Sequence, residues 1–104
     1  MPLLAMLAFS CGTLPPPALQ LSDYSKSCTV DADCAAVYVG ALCQVCGGCQ
    51  NAAINVSDLA KRDADASEAS RSCPPRQGPQ PACAPCQART ATCDAGTCAL
   101  KPIN

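Results

Sequence analysis

Apolar and polar positions follow a recognisable period in only a few stretches of the 104-residue chain, and elsewhere the larger side chains are scattered among Ala, Pro, Gly and Cys. Residues 35–39, Ala-Ala-Val-Tyr-Val, form a β-branched and aromatic run closed by Gly40, which predicts a short strand. From 57 to about 70 the pattern changes to Ala, Asp, Lys, Glu and Leu with neither Gly nor Pro. That predicts a helix with Ser57 as its N-cap and Asp58 in its first turn. Its apolar face is thin, made of Leu59, Ala60 and Ala64 with Ile54 and Val56 just before it, so the helix has to be held from its flanks. Residues 89–93 and 97–100 flank the turn-like cluster Asp94-Ala95-Gly96, which predicts a terminal β-hairpin. Between helix and hairpin, Pro74, Pro75, Pro79, Pro81, Pro85 and Gly78 exclude a helix or a central strand and leave a loop pinned at its cysteines.

Composition changes this picture in one respect. The chain is 49% hydrophobic, yet only 3% aromatic, and the apolar total includes 11 Cys and many Ala. So few large side chains cannot offset the entropy of ordering the chain, and cross-links are the clearest further source of stability. The expected architecture is a small disulfide-rich α+β domain with one helix and two or three short antiparallel strands, otherwise irregular. Charge excludes some functions. The net charge is −1, and no run of cations exceeds Lys61-Arg62. The chain therefore lacks the basic footprint of nucleic-acid binding or of charge-driven recruitment to a membrane. It has no His, which removes Ser-His and Cys-His nucleophile pairs and imidazole acid–base steps. The carboxylates show no hydrolase-like pairing. The reading is a non-enzyme that needs no cofactor.

The first nine residues are almost wholly apolar and too few to span a bilayer, which suits the core of a signal peptide. Leu7-Ala8-Phe9-Ser10-Cys11 resembles a bacterial lipobox, and the resemblance implies that Cys11 carries the lipid. It departs from the family pattern at Ala8 and Phe9. No charge precedes Asp23, so either the basic start of the leader lies upstream or the segment is a buried apolar strand. Cysteine parity favours the lipid: eleven is odd, and removing Cys11 leaves Cys28, Cys34, Cys43, Cys46, Cys49, Cys73, Cys83, Cys86, Cys93 and Cys98, which can all pair. Five disulfides in an oxidising compartment are expected, with the pairing left open. The organisation that follows is a signal peptide over 1–10, a lipidated Cys and Pro-rich tether over 11–22, and a disulfide-rich domain over 23–104. The expected partner is a membrane, reached through the lipid. Gly12 stands where some lipoproteins carry an inner-membrane retention Asp, which favours the outer membrane, with the domain in the periplasm or outside the cell.

Other chemistries compete for the same residues. Cys43, Cys46 and Cys49 form C-x-x-C-x-x-C, and Cys83 with Cys86 forms C-x-x-C, spacings that suit a thiolate metal site. Cys46-Gly47-Gly48-Cys49 has thioredoxin-type spacing. Asp31 and Asp33 begin like a calcium loop, but Ala35 and Ala36 stop the ligand series, so turn capping is the better account. Asn55-Val56-Ser57 is a formal glycosylation acceptor, best read as a chance match. The Pro-rich loop between Cys73 and Cys83 presents Arg76, which a protease inhibitor could use as its specificity residue.

The order Cys28, Asp31, Asp33, Cys34, the cluster to Cys49, Ala53-Ile54-Asn55, a helix, Cys73, Cys83, Cys86, and Cys93 to Cys98 around Gly96 resembles small cysteine-rich bacterial lipoproteins of uncharacterised role. The resemblance covers roughly residues 28–100 and implies an anchored envelope domain without catalytic residues. Asp31-Ala32-Asp33-Cys34 is also similar to whey-acidic-protein inhibitor domains, which carry an adjacent Cys-Cys pair that this chain lacks.

Overall fold

The computed structural model describes residues 16–75 and 78–103. Within them the chain forms β1 (Cys34–Val37), β2 (Ala52–Asn55), helix α1 (Leu59–Ser70), β3 (Arg89–Asp94) and β4 (Thr97–Pro102). This is a disulfide-rich α+β domain with one helix and four strands, one more strand than the upper end of the sequence-based count. The strands make two antiparallel pairs, β1 with β2 and β3 with β4. The pairs are stacked, with β1 against β3 and β2 against β4.

The additional strand is β2. Ala52, Ala53 and Ile54 are all buried, and Ile54 is fully enclosed. The core gathers Tyr24, Val37, Ala52 and Ile54, with Leu21, Val39 and Leu59 packed against them. Sequence periodicity assigned Ile54 to the helix face; in the fold it serves the sheet, because its partner Ala35 on β1 supplies the pairing that its own short segment cannot. β1 ends at Val37, two residues before the predicted strand end. The side-chain amide of Asn51 then takes over the backbone's part, accepting from Val39 N at 2.9 Å and donating to Val39 O at 2.9 Å.

The terminal hairpin forms where the sequence predicts it. Its two turn residues, Ala95 (φ 49°) and Gly96 (φ 83°), both lie in the left-handed region, the pair of conformations that matches strand twist. Ala at the first of these positions carries a steric cost of about 1–2 kcal/mol.

Helix α1 begins after a 3-10 turn, Val56–Asp58. Its entry is capped differently from the expectation: Asn55, not Ser57, supplies the oxygen, accepting from Ser57 N at 2.8 Å. The Asp58 carboxylate accepts instead from Ser25 N at 2.7 Å. As the thin apolar face requires, polar contacts on its flanks hold the helix. The Arg62 guanidinium donates twice to Tyr38 O, at 3.1 and 2.7 Å. Asp65 accepts from the Tyr24 hydroxyl at 2.8 Å, and Lys61 lies 4.6 Å over the Tyr24 ring.

Folded structure also extends further toward the N-terminus than the tether assignment over 11–22. Leu19 is buried, Leu19 N donates to Gly40 O at 2.8 Å, and Leu42 N donates to Pro17 O at 3.0 Å. Residues 17–22 therefore belong to the packed unit. The signal segment, Cys11 and Arg76 lie outside the described residues.

Candidate functional site

Ten cysteines form five disulfides in two separate groups. The central group joins Cys28 to Cys93 and Cys34 to Cys98. Cys34 opens β1, while Cys93 and Cys98 face each other across the β3–β4 hairpin. Neither hairpin cysteine bonds to the other. Each instead crosses to the preceding half of the chain, so the two bridges staple the hairpin to Cys28 and to the first residue of β1. Their sulfurs crowd together, and those of Cys28, Cys34 and Cys98 all lie within 4.8 Å of one another.

The outer group joins Cys43 to Cys73, Cys46 to Cys83 and Cys49 to Cys86. The pairs keep the same order along both segments, so the two stretches of chain run in parallel like the rails of a ladder. Residues 43–50 and 78–88 are exposed throughout and contain no helix or strand. The arrangement gives the C-x-x-C spacings a structural role. Cys46 and Cys49 are not partners of each other but reach Cys83 and Cys86, whose spacing matches theirs. The sulfurs of Cys43, Cys46 and Cys49 are engaged in three separate bridges, and among the described residues the metal-like convergence falls at Cys28, Cys34 and Cys98.

The glycines of Cys46-Gly47-Gly48-Cys49 also have a local cause. Gly47 sits at φ 67°, and a Cβ on Gly48 would collide with the Tyr38 ring. Tyr38 is itself oriented by its hydroxyl, which donates to Ala41 O at 2.7 Å. Sequence reasoning did not identify Tyr38 as the platform for this turn; the adjacent glycines were the available signal. Beside the Cys43–Cys73 bridge, a solvent-open cavity of about 200 Å3 is lined by Leu42, Cys43, Gln44, Ser70, Cys73 and Pro74. No ionisable side chain lines it, so it offers shape rather than charge.

Asp33 acts as the expected turn cap, whereas Asp31 reaches across the fold. Asp33 Oδ2 accepts from Thr29 N, Thr29 Oγ1 and Val30 N at 2.8, 2.9 and 3.2 Å, and the two backbone bonds followed by the hydroxyl hold its carboxyl below the usual range. Asp31 Oδ1 accepts from Cys93 N at 2.7 Å and so ties the turn to the hairpin. Both ends of the Asn55 side-chain amide are engaged within the fold: Nδ2 donates to Ser27 O at 2.7 Å while Oδ1 caps Ser57.

Tyr24 and Asp65 are the most perturbed titrating pair. Burial first, and then the hydrogen bond and charge of Asp65, push the Tyr24 phenol up to about 12. The same bond, helped by Lys61, holds the Asp65 carboxyl below its ordinary value. Both shifts follow from docking the helix on the core. No helix among the described residues is long and apolar enough to cross a membrane. Compared with known protein families, curated proteins and solved structures, the chain matches none.

Proposed function

We propose that the protein is a non-enzymatic, lipid-anchored component of a bacterial cell envelope, favouring the outer membrane, whose disulfide domain is a binding or structural module. The observation that carries the reading is cysteine bookkeeping. The ten cysteines from Cys28 to Cys98 pair entirely among themselves, leaving no partner in the chain for Cys11. An eleventh cysteine at the end of a lipobox-like sequence has a clear use as an acylation site, and two or three acyl chains suffice for stable anchoring. The exposed outer ladder is the module's presented surface, because bridges hold its backbone open where residues in sheets spend their hydrogen bonds on each other.

Intact mass of the protein purified from host membranes tests this. The expected mass is that of a chain beginning at Cys11 and carrying a diacylglycerol thioether, with no alkylation before reduction. A chain that retains residues 1–10 and an unmodified Cys11 would sink the proposal.

A second reading, a protease inhibitor, is favoured by one observation. Both ends of the Pro-rich loop are bridged to one short segment, Cys73 to Cys43 and Cys83 to Cys46, a restraint that lowers the entropy of docking. It predicts inhibition of trypsin-like proteases that disappears in Arg76→Ala. Equal inhibition by that variant, or none by the parent, would exclude it.

A further inference from the structure

We propose that the four central cysteines form a thiol-triggered isomer switch, in which the pairing Cys28–Cys93 with Cys34–Cys98 exchanges for Cys28–Cys34 with Cys93–Cys98 and frees the β3–β4 hairpin from its covalent staples. Each pair of the second pairing is already brought together, one by its sulfurs and the other by its backbone register. The sulfurs of Cys28 and Cys34 lie within 4.8 Å of each other. Cys93 and Cys98 are directly opposed in the hairpin register. Their backbone amides point away from each other, Cys93 N to Asp31 Oδ1 at 2.7 Å and Cys98 N to Lys26 O at 2.7 Å, which marks them as a non-hydrogen-bonded pair. Such pairs hold their Cα atoms about 4.5 Å apart, inside the range a disulfide spans.

The exchange consumes no electrons. A small thiolate attacks Cys93 Sγ, forming a mixed disulfide there, and Cys28 leaves as a thiolate. Entry is at this bridge because Cys28 and Cys93 are half-buried, whereas Cys98 is 4% exposed. The Cys28 thiolate attacks Cys34 Sγ, the Cys34–Cys98 bond breaks, and Cys98 leaves as a thiolate. Cys98 then attacks Cys93 Sγ and expels the small thiolate, which returns unchanged. The number of disulfides is the same before and after. What differs is what they join. The first pairing closes spans of 65 and 64 residues. The second closes a few residues at each end, and the hairpin remains attached by hydrogen bonds and packing alone. The outer ladder is untouched, so the domain loosens at one end while its presented surface keeps its bridges.

The Cys93→Ser variant starts the reaction midway, with Cys28 as a free thiol. After folding, acid quench and alkylation, the expected label lies on Cys98, with a Cys28–Cys34 linkage recovered by peptide mapping. Label confined to Cys28 beside an intact Cys34–Cys98 bridge overturns the proposal. Should that variant fail to fold, the parent protein decides the matter in a glutathione buffer of mixed oxidation state. Recovery of Cys28–Cys34 and Cys93–Cys98 peptides, with faster hydrogen exchange in residues 89–102, is expected. Only native linkages and stepwise reduction of the central bridges would refute it.

Discussion

The stacked sheets and the outer ladder are held by different forces. In the sheets, Ile54, Val37 and Tyr24 exclude water, backbone groups pair in register, and two bridges add to an arrangement that also has a core. In the ladder, residues 43–50 and 78–88 are exposed and form no regular element, and three bridges replace burial. The difference traces to side-chain supply. Where the chain offers Val, Ile and Tyr, it folds inward. Where it offers Pro, Gly and Gln, the remaining way to restrict the unfolded ensemble is covalent.

Removing bridges region by region is the strongest way to break that contrast. Replacing Cys28, Cys34, Cys93 and Cys98 together by Ser removes both central bridges and opens their overlapping spans of 65 and 64 residues. The chain-entropy account gives a loss of about 4 kcal/mol for the first such span opened. Replacing Cys49 and Cys86 together is expected to cost less than half as much, because the Cys46–Cys83 bridge already closes nearly the same loop. Urea midpoints of the two variants measure the difference; equal losses would mean that the ladder and the sheets unfold as one unit.

Side-chain truncation is the next most telling test. Ile54→Ala, at a fully enclosed site, should destabilise the domain by about 2–5 kcal/mol. Val45→Ala, in the ladder at 43% exposure, should stay within about 0.5 kcal/mol of the parent.

The helix dock is a smaller contribution, and pH resolves it. The Tyr24 phenol titrates at about 12 in the folded protein, above the ordinary tyrosine value of 10.0. Folding therefore favours the protonated phenol. Its contribution is complete below about pH 10 and is lost as pH rises toward about 12. Asp65 works in the opposite sense: its lowered carboxyl stabilises the fold above the ordinary aspartate range, and that contribution is lost as pH falls through it. Urea melts at about pH 9 and about pH 11 should show the parent losing its advantage over Tyr24→Phe. A constant gap between the two proteins would show that the hydroxyl is not the titrating contact.

The smallest expected effect lies at the join between the regions. Gly48→Ala places a methyl against the Tyr38 ring and must displace one of them. Proteolysis between Cys43 and Cys49 should accelerate while the urea midpoint moves little. A midpoint shift as large as that of Ile54→Ala would place Tyr38 in the core's unfolding unit.

The split between what was legible and what was not follows the range of the interactions. The hairpin around Ala95-Gly96, the helix near 59–70, the absence of regular structure around the prolines among the described residues, and the capping role of Asp33 rest on contacts within a few residues, so the amino-acid sequence by itself determined them. It also determined that cross-linking would carry much of the stability, since the large apolar side chains are too few. Tertiary structure alone decided which cysteines meet, that Ala52–Asn55 is a buried strand, that Asp31 bonds to the hairpin at Cys93, and that Cys28, Cys34 and Cys98 crowd together. Each of these needs a partner from a distant part of the chain. A four-residue run of Ala, Ala, Ile and Asn has no periodicity long enough to declare itself a strand, and a cysteine's spacing along the chain does not record the direction from which its partner arrives.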